Sequence, residues 1–118
     1  MLYLQEMELG ERKLIPLNVR GLSNFKKRKS ILAWCRKQKL DVIFFKETHS
    51  TIQKEKQWKT EWGGLIELAH ASTNTRGVGI FFRNGFDSYI RKKIVLPLGK
   101  YLALEGKIND EKYILVNI

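Results

Sequence analysis

Asn18 and Glu47 are the two residues whose types and positions suit metal and phosphate chemistry. Each stands at the carboxyl end of a predicted strand, and the two strands flank one predicted helix. If the strands are neighbours, an amide oxygen and a carboxylate converge at the sheet edge where open α/β sheets bind ligands. Two hard oxygen donors suit Mg²⁺, which takes one or two carboxylates, keeps several waters and bonds substrate phosphates. The alternative is that Asn18 caps a turn and Glu47 is an exposed strand end.

The elements that must position these two residues form a strand–helix–strand unit. The pattern over 13–19 predicts a strand buried mostly on both faces, and the apolar run Val42–Phe45 predicts a second buried strand. Between them, Ser23 or Asn24 is predicted to cap a basic helix. One face of that helix is predicted to carry Ile31, Trp34, Cys35 and Gln38. This order predicts two parallel strands that are adjacent or nearly so.

The remaining chain is predicted to form one more helix and then strands. The helix follows Thr51, buries Trp58 and Trp62 and ends at Gly63-Gly64. Strands are predicted over 65–70, 78–83, 88–96, 101–108 and 113–118. Asn84-Gly85 predicts a hairpin between the second and third of these strands, and Asn109-Asp110 predicts a tight turn before the last.

Alternation of apolar residues assigns faces to two of these strands. Ile90, Ile94 and Leu96 are predicted to share one face of the strand 88–96. The final strand, 113–118, is apolar on both faces, so we expect further elements to cover it.

Composition limits the class of protein. The chain has 118 residues, one cysteine, 22 Lys and Arg, and 12 Asp and Glu, which gives a net charge of +10. A single cysteine excludes an internal disulfide and favours a reducing, intracellular compartment. The sequence contains no apolar stretch long enough to span a membrane and no signal peptide. The positive charge favours a polyanionic partner such as nucleic acid.

The positive charge has one local maximum. Seven cations and no acid lie between Lys26 and Lys39. This segment is either a solvated helix face or a surface that contacts phosphates. The candidate nucleic-acid-binding residues are Arg20, Lys26, Lys27, Arg28, Lys29 and His49. For Arg20 the alternative is an ion pair at the strand end, and for His49 it is a local structural role.

Several strings of residues occur in an order that resembles a known family. They are LNVRGL from Leu17, DVIFFKETH from Asp41, EWGG from Glu61, RGVGIFF from Arg76 and LVNI from Leu115. In this order they resemble the N-terminal half of the endonuclease domain of LINE-type non-LTR retrotransposons. That domain belongs to the exonuclease/endonuclease/phosphatase superfamily, which includes the apurinic endonucleases. The resemblance covers 13–118, and residues 1–12 are expected to be a leader without clear structure.

The resemblance implies a fold, a reaction and a partner. It implies a four-layer α/β sandwich with mixed sheets flanked by helices, here truncated. It also implies hydrolysis of a DNA phosphodiester with Mg²⁺ in the nucleus, and no other small-molecule cofactor. The catalytic and metal-binding residues of the matching motifs correspond to Asn18 and Glu47.

Three departures from the family pattern bear on activity. The motifs that supply the general-base Asp and the catalytic His do not occur within 1–118, so we expect this fragment to be inactive alone. Lys46 stands where the family usually has Gln, and strand alternation predicts that it faces away from Glu47. Pro16 lies in what is predicted to be a central strand, where it removes a hydrogen-bond donor. His70 is expected to lie on a strand without an acidic neighbour, so it is not a substitute base.

These departures leave two alternatives to a nuclease. One is a basic nucleic-acid-binding module without chemistry, and the other is a decayed retrotransposon remnant.

Overall fold

The chain folds into two helices and seven strands within the residues that the computed structural model describes. Those residues are 12–70, 76–86, 88–96, 99–108 and 110–118. The elements are β1 (Leu14–Asn18), α1 (Phe25–Lys37), β2 (Val42–Lys46), α2 (Ile52–Trp62), β3 (Ile66–Ala69), β4 (Val78–Phe82), β5 (Ser88–Leu96), β6 (Tyr101–Ile108) and β7 (Glu111–Asn117). Of the predicted leader, residues 1–11 lie outside the described residues, as does Asn109 of the predicted turn.

The predicted strand–helix–strand unit forms one side of sheet A, which has the order β1-β2-β4-β3. β1 and β2 pair in parallel, as predicted, and β4 is antiparallel to both of its neighbours. Among the described residues β1 lies at one side of sheet A and is only partly buried, so the prediction that it is mostly buried on both faces is wrong here. An edge strand tolerates the missing N–H of Pro16. Within the described residues the position of Pro16 is thus compatible with sheet A.

Helix α1 starts as the sequence predicts but buries a different face. The side chain of Asn24 accepts a hydrogen bond from the Lys27 N–H at 2.9 Å, which caps the helix. The buried residues are Arg28, Leu32 and Cys35, at i, i+4, i+7 spacing. Trp34, which is predicted to share a face with Cys35, is 47% exposed, so that face is not the one that packs on the core. The helix is rotated relative to the prediction because a cation, Arg28, occupies a core position.

Helix α2 buries Trp58 and Trp62 and ends at Gly63 in the left-handed conformation, as predicted. The Trp62 Nε1–H donates to the carbonyl of Phe82 at 2.7 Å and ties α2 to β4. Both helices pack on one face of sheet A, against Ile43, Phe45, Ile66, Leu68 and Phe81. Neither helix is both long and apolar enough to cross a membrane.

The strands after β4 form sheet B, with the antiparallel order β5-β6-β7. The hairpin predicted at Asn84-Gly85 is wrong. The Phe86 N–H does donate to the Arg83 carbonyl at 2.9 Å, but this turn carries the chain from sheet A to sheet B. β4 already has β2 and β3 on its two sides, so it has no free edge for β5.

Strand β5 does not keep one apolar face, contrary to the prediction. A register shift between Ile90 and Lys92 moves the residues after it to the opposite face. Ile90 packs on the core between the sheets, whereas Ile94 and Leu96 are exposed.

The two sheets pack face to face, so helices, sheet A and sheet B form three layers. The core between the sheets contains Leu14, Val42, Phe44, Ile80, Phe82, Leu102, Leu104, Ile108, Tyr113 and Leu115. Two carbonyls of sheet A, those of Phe45 and Gly79, accept hydrogen bonds from the buried Asn117 Nδ2 of β7, each at 2.9 Å. The outer face of β7 is exposed, with Ile114 at 67%. The α/β class with mixed sheets and flanking helices is confirmed.

Arg28 joins α1 to α2 from inside the core. It is 3% exposed, and it contacts the two carboxylate oxygens of Glu61 at 2.6 and 2.9 Å. It also donates to the carbonyls of Leu22 and Ser23 and lies over the Trp58 ring. This guanidinium satisfies the carbonyls that precede α1 and fixes the packing of the two helices.

His70 joins β3, α2 and the loop after β2. Its Nε2 lies 2.8 Å from Glu55 Oε1, and its Nδ1 lies 2.8 Å from the buried Ser50 Oγ. The expectation that His70 has no acidic neighbour is wrong, because the sequence pattern does not show that α2 packs beside β3. Since Ser50 is fully buried, this Ser-His-Glu arrangement is a structural link and not a nucleophilic site.

We predict that Arg28→Ala destabilises the fold while Lys29→Ala, at an exposed neighbouring position, does not. Losing the charged hydrogen bonds should lower the free energy of unfolding by about 2 kcal/mol, because Glu61 and two carbonyls lose their partner. Urea unfolding followed by tryptophan fluorescence measures both variants. Equal midpoints for the two variants would contradict the structural role of Arg28.

We also predict that the fold loses stability in acid through Glu55 and Glu61. Hydrogen bonds, chiefly from Arg28, lower the pKa of Glu61 below the ordinary 4.5 against the effect of burial. For Glu55, burial raises the pKa, but hydrogen bonds from His70 and Lys59 outweigh it and the net pKa is lowered. The unfolded chain therefore binds more protons near these pKa values, so stability should fall as pH drops below about 5.

Urea midpoints across a pH series measure this effect. Glu61→Gln should reduce the loss of stability below about pH 5, whereas Glu111→Gln, at an exposed position, should lose stability in acid as the wild type does. A Glu61→Gln variant that loses as much stability in acid as the wild type would contradict the prediction.

Candidate active site

Asn18 and Glu47 lie in one cleft at the edge of sheet A where β1 and β2 end. Across the sheet, Asn18 pairs with Lys46, and Lys46 pairs with Val78 of β4. A cleft of about 430 Å³ opens at this edge. Its walls include Asn18, Lys46, Glu47, Arg76, Lys100 and Tyr101. The structure thus brings together the two residues that the sequence predicted as a pair.

The segments that follow β1 and β2 and the segment that precedes β4 remain hydrogen-bonded to one another beyond the ends of the strands. The Gly21 N–H donates to the Glu47 carbonyl at 2.6 Å, and the Leu22 N–H donates to the Thr48 carbonyl at 2.9 Å. On the other side, the Thr48 N–H donates to the Gly77 carbonyl at 3.0 Å. The backbone of Glu47 is therefore held between two neighbouring segments.

Three non-glycine residues that follow β1 and β2 have left-handed backbones. They are Arg20 (φ 50°), Glu47 (φ 53°) and His49 (φ 58°). Such residues cost of order 1–3 kcal/mol each, and they concentrate at functional sites. Lys46 and Glu47 both line the cleft, and the left-handed backbone of Glu47 ends the regular alternation of β2. That the Lys46 side chain faces away from Glu47 stays a prediction.

Two glycines permit this close packing of loops. A Cβ atom on Gly21 would lie 2.5 Å from the His49 ring, and one on Gly77 would lie 2.6 Å from Thr48 Oγ1. Both glycines also have positive φ angles, of 96° and 108°. His49 is half-buried against Gly21, so a local structural role accounts for its position. DNA contact by His49 stays a prediction.

Asn18 combines the two roles that the sequence left as alternatives. Its Oδ1 accepts a hydrogen bond from the Arg20 N–H at 3.2 Å, so it caps the turn after β1. The residue is exposed and lines the cleft. Because an amide oxygen has two lone pairs, Oδ1 retains one acceptor position for a second partner.

The predicted nucleic-acid-binding cations occupy three different environments. Arg28 is buried, and its hydrogen bonds are directed into the protein, so its predicted contact with nucleic acid is wrong. Lys27 Nζ donates to the carbonyls of Val19 and Arg20 at 2.6 and 3.3 Å and supports the turn beside Asn18. Arg20, Lys26 and Lys29 are exposed, and their nucleic-acid contacts stay predictions.

The donor set fits Mg²⁺ bound partly by water and substrate. Among the residues that the structure describes, no group of three or more His, Cys, Asp or Glu side chains could enclose a metal. The available oxygen donors are the Glu47 carboxylate and Asn18 Oδ1. Mg²⁺ is commonly bound in this way, by one or two carboxylates with waters and phosphate oxygens completing its shell.

Sequence reasoning missed three residues of this region. Arg76 is visible in the sequence only as the start of the RGVGIFF string, and Lys100 gives no signal, because it reaches the cleft through the packing of the two sheets. Asn117 did give a signal, since it follows Tyr113 and Leu115 in the period-two pattern of inward residues. A polar residue at an inward position predicts a buried hydrogen-bonding role.

Comparisons with known proteins give a sequence relative and solved structures of similar fold. The chain is 28% identical over 102 residues to the transposon TX1 uncharacterized 149 kDa protein of Xenopus laevis. The match covers 86% of this chain and 8% of that protein. The chain matches no known protein-family model.

The fold is similar to the crystal structure of the AP endonuclease LMAP from Leishmania major, with a TM-score of 0.65 and 20% identity. The match covers 90% of this chain and 39% of the solved chain. At this identity the likeness shows the fold. Both findings agree with the resemblance found in the motifs: the chain is similar in sequence to a transposon protein and in fold to the structure of an AP endonuclease.

Proposed function

We propose that the chain provides the metal- and phosphate-binding part of a site that hydrolyses DNA phosphodiesters, as in the nicking of target DNA for retrotransposition. The observation that carries this proposal is the convergence of Asn18 and Glu47 in one cleft at the carboxyl ends of parallel β1 and β2. The transposon relative and the AP endonuclease fold support DNA as the substrate. A DNA substrate favours a nuclear location.

Glu47 and Asn18 would hold the Mg²⁺ ion. When bound, the cation stabilises negative charge on the phosphate and on the leaving oxygen. The chain's own contribution is to fix both oxygen donors before substrate binds. Hydrogen bonds from Gly21 to the Glu47 carbonyl and from the Arg20 N–H to Asn18 Oδ1 do this.

The described cleft supplies metal ligands but no general base. Its described walls contain one side-chain carboxylate, that of Glu47, and no histidine. Hydrolysis needs a base within hydrogen-bond reach of the attacking water. We therefore propose that 1–118 binds metal and phosphate but does not cut DNA by itself.

A second candidate function is a nucleic-acid-binding module without chemistry. The specific observation in its favour is the charge of the cleft, where Lys46, Arg76 and Lys100 accompany a single side-chain carboxylate. The two functions differ in whether Glu47 binds a divalent metal.

We predict that Glu47→Gln strongly weakens divalent-metal binding in the cleft. The change keeps the size of the side chain and removes its charge. Changing a residue that only supports a metal ligand already lowers metal affinity about 10-fold, so loss of the ligand itself should weaken Mn²⁺ binding by at least ~10-fold. Paramagnetic broadening of backbone amides by Mn²⁺, with competition by Mg²⁺, measures the site. Glu111→Gln is the matched control, because Glu111 is exposed at the start of β7. Broadening near Gly21 and Thr48 that persists in Glu47→Gln would exclude the proposed ligand.

We predict no nicking of supercoiled plasmid by the chain with Mg²⁺, because the described cleft contains no base. The measurement is the conversion of supercoiled to open-circular DNA on an agarose gel. The control is Glu47→Ala, which should give the same background as the wild type. Nicking by the wild type that disappears in Glu47→Ala would overturn the proposal that the chain is inactive alone.

A further inference from the structure

The position of Lys46 indicates a phosphate subsite in the cleft. Lys46 is the last residue of β2, it is half-buried, and it lies between Asn18 and Val78 in the register of sheet A. It shares the cleft with Glu47, whose left-handed backbone ends the alternation of the strand. Lys46 therefore lies in the same cleft as the predicted metal ligands, directly opposite Asn18 in the sheet.

The cleft carries more positive than negative charge. Its cations are Lys46, Arg76 and Lys100, and its side-chain carboxylate is that of Glu47. Ile118 also lines the cleft, and when its α-carboxylate is counted the cations still outnumber the anions by three to two. A bound anion would balance this excess of positive charge.

The lining of the cleft indicates which anion fits. Lysine acts as a point charge toward phosphate, and arginine adds a planar pair of donors. Tyr101 places a 37% exposed aromatic ring in the same cleft. Aromatic rings of this kind pack against the bases or sugars of single-stranded nucleic acid. These features favour a phosphate that belongs to a nucleotide chain over free phosphate.

We propose that Lys46, with Arg76 and Lys100, binds a backbone phosphate of DNA in the cleft without needing a metal ion. This inference rests on the proposed function, since it names the substrate group that the same cleft holds. It has a consequence for the metal. Because the Lys46 ammonium repels a cation beside Glu47, removing its charge strengthens metal binding while it weakens binding of DNA.

Fluorescence anisotropy of a labelled single-stranded oligonucleotide in EDTA tests the subsite. Lys46→Gln should weaken binding by about tenfold, the loss of one hydrogen bond between charged groups. Lys92→Gln removes the same charge at an exposed position on β5 and should change affinity less than about twofold, the loss of a general electrostatic contribution. Lys46→Arg should restore most of the affinity. Equal effects of Lys46→Gln and Lys92→Gln would overturn the proposal.

Two further measurements separate the alternatives. Inorganic phosphate should displace the oligonucleotide only weakly, and displacement as effective per phosphate as that by unlabelled oligonucleotide would overturn the assignment to DNA. Mn²⁺ should bind more tightly to Lys46→Gln than to the wild type, an effect that a merely structural role of Lys46 does not predict. Unchanged or weaker Mn²⁺ binding in Lys46→Gln would contradict the proposed place of Lys46 in the cleft.

The outcomes also distinguish this inference from the proposed metal site. Oligonucleotide binding that depends on Lys46 in EDTA supports the subsite even if Glu47→Gln shows that no metal binds there. Metal binding that depends on Glu47 supports the metal site even if Lys46→Gln leaves oligonucleotide affinity unchanged, which would overturn the subsite.

Discussion

The candidate site depends on hydrogen bonds between backbone segments that continue after the strands of sheet A have ended. Gly21 and Leu22 bond to the loop that follows β2, and the same loop bonds to Gly77 before β4. In the segments that make these bonds, Arg20, Glu47 and His49 have left-handed backbones. The strain of those residues is offset by the packing around them, and it places a carboxylate where a regular strand would not.

Sequence reasoning predicted the parts of the fold that local patterns determine. The parallel pair β1 and β2, the caps of α1 and α2, and the convergence of Asn18 with Glu47 follow from periodicity and from the geometry of the strand–helix–strand unit. The predictions failed where distant contacts decide. Arg28 occupies a core position because Glu61, 33 residues later, neutralises it. No pattern within α1 carries that information.

The same limit explains the errors in the second half of the chain. Asn84-Gly85 does form a turn, but whether the next strand pairs with β4 depends on which edges of sheet A are free. The bulge in β5 likewise reverses the faces of Ile94 and Leu96 without any break in the sequence pattern. Local chemistry therefore predicted that the chain turns and extends, and the packing of two sheets decided where each strand lies.

Asn117 joins the ends of β2 and β4 in sheet A to the last strand of sheet B in one cooperative unit. Its amide group satisfies the carbonyls of Phe45 and Gly79, which come directly before Lys46 and directly after Val78 at the base of the cleft. Separating β7 from sheet A would leave both of these buried carbonyls without that partner. Opening of the cleft floor and detachment of β7 are therefore expected to be a single event in amide hydrogen exchange, with one shared free energy.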